Sequence, residues 1–111
     1  MPTINAFYKN EEQQSKLASL IPQLKECVAQ ELTCGDINLT TKEVSVRLVY
    51  VQGDGMLGSV EIEITAHAFE ERVKRQDEIC LTIANYVKKQ EPSLGEVKVW
   101  LILSQLGHSW R

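Results

Sequence analysis

Cysteine and histidine are scarce in this chain, and their spacing excludes two common ways of building a site. The 111 residues hold three cysteines and two histidines. Cys27, Cys34 and Cys80 are odd in number and lack metal-ligand spacing, so neither a disulfide framework nor a zinc site is read from them. Cys27 and Cys80 fall within helical patterns and suit the role of small buried apolar residues. His67 and His108 stand far apart with no partner at a fixed spacing, and both read as ordinary polar positions. Positive charge is also in short supply. The formal net charge is −3 and no dense run of Lys and Arg occurs, which argues against a nucleic-acid footprint. No apolar run approaches membrane-spanning length, and no charged-then-apolar leader precedes a cleavage site. The expectation is a cytoplasmic protein without nucleic-acid or membrane partners.

What the chain does have is ordinary in amount and ordered in pattern. Apolar residues make up 43% and charged residues 24%, and the length suits one domain over residues 1–111. Residues 3–9 alternate, with Ile4, Ala6 and Tyr8 on one side and Thr3, Asn5 and Phe7 on the other, which predicts a short strand. Asn10 reads as an N-cap, followed by Glu11 and Glu12 where negative charge suits the helix dipole. Leu17, Leu20, Ile21, Leu24, Val28 and Leu32 keep the spacing of one helix face. A kink or offset turn is expected at Pro22, and a stop near Cys34-Gly35. A second strand over 44–51 sets Val44, Val46, Leu48 and Tyr50 against Ser45, Arg47, Val49 and Val51. A third, over 59–66, sets Val60, Ile62 and Ile64 against Glu61, Glu63 and Thr65. A second helix over 69–89 carries a stripe of Val73, Cys80, Ile83, Ala84 and Val87. Pro92 and Gly95 break the chain before a fourth strand, where Val97, Val99, Leu101 and Leu103 oppose Lys98, Trp100 and Ile102. The tail 104–111 reads as irregular or as pairing with a neighbour.

Strand-helix-strand thus occurs twice, over residues 2–51 and 59–103. Each unit is long enough for a right-handed crossover, so its two strands are expected to be parallel. Both helices then cover one face of a four-stranded sheet, giving a two-layer α+β fold. The other face is mixed. Phe7, Val49, Val51, Trp100 and Ile102 are too apolar for a solvated surface, whereas Arg47, Glu61, Glu63 and Lys98 are too charged for a core. An oligomer interface with polar pockets meets both conditions. A ferredoxin-like module has the same element counts but splits its βαβ units differently, so strand order separates the two.

Four features bear on chemistry. Residues 53–58 match G-x-G-x-x-G after a strand, but a strand rather than a helix follows, so the pyrophosphate site lacks its helix N-terminus and a hairpin loop is the reading. Arg47, mid-strand on the same face as Lys98, needs a carboxylate: Glu61 or Glu63 in a structural pair, or one carried by a substrate. Arg72, Lys74 and Arg75 open the second helix as a solvated face, with Arg72 near enough to the sheet's rim to reach an anion. The last feature is Pro2. Loss of Met1 would leave a secondary amine, a strong nucleophile and a general base if its pKa falls toward neutrality, while the plain alternative is an incidental second residue.

Pro2-Thr3-Ile4, Ser45-Val46-Arg47 within residues 43–49, and the helix opening Arg72-Val73-Lys74-Arg75-Gln76 together resemble the tautomerase superfamily over nearly the whole chain. The second motif is similar to the strand of 4-oxalocrotonate tautomerase that carries its substrate-binding arginine. The length and trailing segment look more like macrophage migration inhibitory factor and the longer malonate semialdehyde decarboxylase group. The resemblance implies a homotrimer whose sheets wrap a central barrel, using the mixed face for trimerisation. It implies that Pro2, after loss of Met1, is the catalytic base or acid of a tautomerase or isomerase, moving a proton within an enol or dienol 2-oxo acid without a cofactor or metal. Arg47 would hold the substrate carboxylate, Trp100 would wall the site, and Lys98 would join Arg47 in lowering the amine pKa. Lys9 or Arg72 would supply a second cation. No acidic residue is placed to activate water, so the hydratase and dehalogenase chemistries of some relatives are not implied. Retention of Met1 would turn the amine into an amide and silence the site. The competing reading is a non-catalytic oligomeric binding or assembly protein on the same fold.

Overall fold

In the computed structural model, which describes residues 2–35, 37–56 and 58–105, chain order runs strand, helix, strand, then strand, two helices and strand. The readings made for Met1, His108 and the tail past Gln105 lie outside those residues. The elements are β1 (Thr3–Tyr8), α1 (Glu11–Leu32), β2 (Ser45–Tyr50), β3 (Val60–His67), α2 (Glu70–Lys74), α3 (Gln76–Gln90) and β4 (Val97–Ser104). Asn10 starts α1 as expected: its Oδ1 accepts a hydrogen bond from the Gln13 amide at 2.9 Å. The helix runs on through Pro22 without a break. Pro22 and Ala18 are both exposed, so the Ala18 carbonyl that proline leaves without an amide partner faces water. The helix stops at Leu32, and Gly35 follows at φ 53, a left-handed value that glycine adopts without strain.

The second helix departs from expectation by being two. α2 and α3 meet at Arg75, whose backbone (φ −106, ψ 13) leaves the helical region. No glycine or proline marks the break. Its guanidinium is held instead by Glu78 at 3.1 Å and Glu31 of α1 at 3.4 Å. The offset moves Val73 out of the apolar stripe, to 52% exposure, and Ile79 takes its place beside Ile83 and Val87.

The sheet has the order β2-β1-β3-β4. β1 and β2 are parallel, β3 and β4 are parallel, and β1 and β3 run antiparallel between the two units. Two parallel pairs side by side are what twin βαβ units require, and they rule out the ferredoxin-like alternative. The order also corrects the reading of the glycine-rich stretch. β2 and β3 are not neighbours, since β1 lies between them, so the two strands do not form a hairpin.

Strand alternation sorts the side chains as read from the sequence. Ile4, Ala6, Tyr8, Val60, Ile62, Ile64, Ala66, Val97 and Leu101 are buried against Leu17, Leu20, Leu24, Val28 and Leu32 of α1 and Ile79, Ile83 and Val87 of α3. Each fully buried Leu, Ile or Val side chain contributes about 1.5–3 kcal/mol relative to exposure. Two glutamines fix the layers: Gln13 Nε2 donates to the Ser59 carbonyl at 3.1 Å, and Gln76 Nε2 to that of Leu101 at 2.8 Å. The opposite face is organised in rows across all four strands. Arg47, Asn5, Glu63 and Trp100 form one row, and Val49, Phe7, Glu61 and Lys98 the next; Ser45, Thr3, Thr65 and Ile102 form a third. Trp100 is 48% and Ile102 44% exposed on this face.

Candidate active site

Pro2 lies at the head of β1. Its side chain is fully buried, and its carbonyl accepts a hydrogen bond from the Ser45 amide at 3.1 Å, which extends the β1–β2 ladder back to this residue. The register places Thr3 opposite Ser45 and Thr65, so Pro2 is level with Val44 and Ala66. Around this end gather the segment after α1, the end of β3 and the start of α2.

The expected cations are distributed unevenly about it. Arg47 stands on β2, on the outer face and exposed. Among the described residues its guanidinium forms no ion pair or hydrogen bond. Glu63 shares its row but stands two strands away, roughly 10 Å at the usual strand spacing, and forms no ion pair with it. Lys98 and Trp100 are on β4, the opposite edge strand. Lys98 is level with Phe7, at the end of the sheet away from Pro2, and its Nζ pairs with Glu96 at 2.8 Å. The expectation that Arg47 and Lys98 flank the Pro2 amine is therefore not met within one chain.

Neither candidate for the second cation is beside Pro2 as a free charge. Lys9 follows the last residue of β1, at the far end of the strand, and its backbone amide donates to Gln13 Oε1 at 2.7 Å. Arg72 is at the right end but is 3% exposed rather than solvated. Its Nε donates to the Leu32 carbonyl at 2.9 Å and one terminal nitrogen to the His67 carbonyl at 3.0 Å, while the guanidinium lies over the Phe69 ring at 4.8 Å. Burial pushes its pKa down, and the nearby Cys34 sulfur opposes that shift. An arginine so committed is a structural tie. The histidine it touches reads from the sequence as an ordinary polar position. His67 ends β3, and its ring meets Phe69 edge-on at 4.5 Å. Only the strand register, which the sequence does not print, brings it to the Pro2 end.

Of three surface clefts, of about 550, 360 and 240 Å³, the second opens between the segment after α1 and the start of α2, at the Pro2 end of the sheet. The first is lined by Gln30, Thr33 and Thr40, the second by Cys34, Ile37 and Phe69, and the third by Cys27, Glu31 and Tyr86. Pro2, Arg47, Lys98 and Trp100 line none of them. Among the described residues no His, Cys, Asp and Glu side chains cluster in a way that could hold a metal ion, and no helix is long and apolar enough to cross a membrane.

No family sequence model matches the chain, and no curated protein sequence is similar to it. Solved structures are. A fused 4-OT, an asymmetric trimer, superimposes with a TM-score of 0.68 at 14% identity, covering 96% of this chain and 91% of that one. A macrophage migration inhibitory factor-like protein from Entamoeba histolytica gives a TM-score of 0.61 at 12% identity, covering 97% and 95%. A 5-carboxymethyl-2-hydroxymuconate delta-isomerase gives 0.63 at 11% identity, covering 100% and 86%. At such identities the likeness is one of architecture, and the paired βαβ units with both helices on one face of the sheet have the fold of the tautomerase superfamily.

Proposed function

We propose that the protein is a tautomerase or isomerase that moves a proton within a small 2-oxo acid, with Pro2 as its base once Met1 is removed, and that it works as a homotrimer. The observation that carries this reading is a buried Pro2 at the head of β1 together with, on the adjacent strand, an exposed Arg47 that has no partner among the described residues. A free α-amine titrates near 8, and burial disfavours its charged form, so a neutral amine near physiological pH is the expected state. That amine takes a proton from one atom of the substrate and, as the ammonium, returns one to another. Arg47 fits the carboxylate with its planar fork and draws negative charge toward itself as the enolate forms. The reaction requires no cofactor.

The trimer supplies what the single chain lacks. Arg47 and Pro2 stand on different rows, and the mixed outer face is open. Packing that face against neighbouring copies covers Trp100 and Ile102 and brings the Arg47 of one copy toward the Pro2 of another. Trp100 then forms an apolar wall that keeps the site dry. Likeness to trimeric and isomerase structures supports this arrangement.

Intact-mass measurement of natively expressed protein, with a phenylpyruvate ketonisation assay, tests the reading. Mass lacking Met1, turnover, and its loss in Pro2→Ala are expected. Native protein that retains Met1 and shows no turnover, while still assembling, is instead the non-catalytic binding protein.

A further inference from the structure

We propose that His67 contacts the substrate in the Pro2 site, donating a hydrogen bond from its imidazole to an oxygen of the 2-oxo acid; this rests on the reading of Pro2 given above. Three observations lead there. The first is register. Thr3 pairs with Thr65, so Pro2 is level with Ala66, and His67 is the next residue of β3 toward the end of the sheet at which the Pro2 nitrogen lies. With Met1 removed, a substrate engaging the Pro2 nitrogen is held at this end of the sheet.

The second is direction. Side chains alternate along a strand, so the Pro2 ring faces the helices with Ile4, as its burial requires. His67 shares the outward face with Thr65 and Glu63. The Pro2 nitrogen and the imidazole thus stand at the same end of neighbouring strands, whose backbones lie about 5 Å apart at the usual spacing.

The third is that His67 is fixed in place. Arg72 donates to its carbonyl at 3.0 Å and also covers Phe69, whose ring meets the imidazole at 4.5 Å with an interplanar angle of 69°. One buried arginine therefore holds both the backbone and, through Phe69, the ring. Among the described residues the imidazole nitrogens have no hydrogen-bond partner. A half-buried, oriented imidazole without a hydrogen-bond partner among the described residues is a preorganised donor for a carboxylate or keto oxygen. It fills the role that Lys9, at the wrong end, and Arg72, already committed, do not.

The test uses full-length protein of verified N-terminal mass, with phenylpyruvate as the probe. His67→Ala is expected to lower kcat/KM about 10- to 100-fold, mostly through KM, and His67→Gln, which keeps a donor, to recover most of the loss. Both variants should unfold at the wild-type urea midpoint. In parallel, the His67 imidazole resonances, assigned by their absence from the His67→Ala spectrum, should shift as phenylpyruvate is added. Unchanged kinetics in His67→Ala, or an equal loss in both variants with a lowered midpoint, overturns the proposal. If the wild-type protein shows no turnover, the Pro2 reading fails by itself. The titration then decides for His67: moved resonances sustain the contact, and unmoved ones sink it.

Discussion

The Arg72 guanidinium and the Leu32 carbonyl are joined by a 2.9 Å hydrogen bond that fastens the start of α2 to the last turn of α1. Leu32 ends its helix, so its carbonyl has no partner within α1. Arg72→Ala removes the donor to this group and to the His67 carbonyl while leaving both largely shielded from water. A stability loss of about 2–4 kcal/mol is expected from urea unfolding, and a smaller one for Arg72→Lys. A loss under about 1 kcal/mol would mean that water replaces the guanidinium at both carbonyls.

Gly95 and Ser59 make a second test of packing. Gly95 sits at φ 78, and a Cβ added there would lie 2.9 Å from Ser59 Oγ. Gly53 has φ 103, and a methyl group at that position would meet nothing within 4 Å. Both Gly→Ala changes introduce a backbone penalty of roughly 1 kcal/mol, but only Gly95→Ala adds a clash. Its unfolding midpoint should fall further than that of Gly53→Ala, and adding Ser59→Ala should restore part of the difference. Equal midpoints for the two single variants would refute the contact.

Much of this is legible in the sequence, because period-2 and period-3.6 patterns report local geometry and burial directly. Ile4, Ala6 and Tyr8 alternate as the sheet needs, and Leu17, Leu24 and Val28 mark the buried face of α1. The break at Arg75 is not legible, since no glycine or proline marks it and the Glu31 that its guanidinium meets belongs to a distant helix. The same limit applies to the site. Counting along its strand places Arg47 on the correct face, but counting cannot show Lys98 drawn off by Glu96 at the far end. Arg72 looks solvated because its neighbours in sequence are charged; its partners, Leu32 and His67, are carbonyls that carry no side-chain signature.

Cys27 offers a prediction in pH. Burial first, and Glu31 second, push its thiol up to about 11. At pH 8 it is therefore almost wholly protonated, and alkylation by iodoacetamide should be slow, quickening roughly tenfold per pH unit until about pH 11. Unfolding restores an ordinary thiol, so the stability held by the neutral buried form is complete at neutral pH and is lost as pH rises toward that folded value. Peptide mapping by mass spectrometry after timed labelling reads the rate. Fast labelling of Cys27 at pH 7 would contradict the burial.

Trp100 and Ile102 test the outer face. Both are large, apolar and more than two-fifths exposed in the single chain. Trp100→Asp places a charge where the proposed trimer needs a dry contact. Sedimentation should then give the 12.6 kDa monomer in place of a multiple of it. Turnover should disappear with the assembly, although the helix-side core keeps its far-ultraviolet circular dichroism. A wild-type protein that already sediments as a monomer would remove the basis for this interface.

Arg47 and Pro2 permit the sharpest test of a site shared between copies. In one chain they are three residues out of step on adjacent strands, about 10 Å apart along the strand direction, with side chains on opposite faces. Arg47→Ala removes an exposed group without partners among the described residues, so the unfolding midpoint should hold while kcat/KM falls about 100-fold. Pro2→Ala should be inactive by itself. If each site takes Pro2 from one copy and Arg47 from another, unfolding the two variants together and refolding them as a mixture rebuilds intact sites. Random assembly gives both native residues in roughly a quarter of the sites, and activity should return to about that fraction of wild type. Were both residues contributed by the same chain, no site in the mixture could hold both. Activity would then stay at the level of the variants refolded separately.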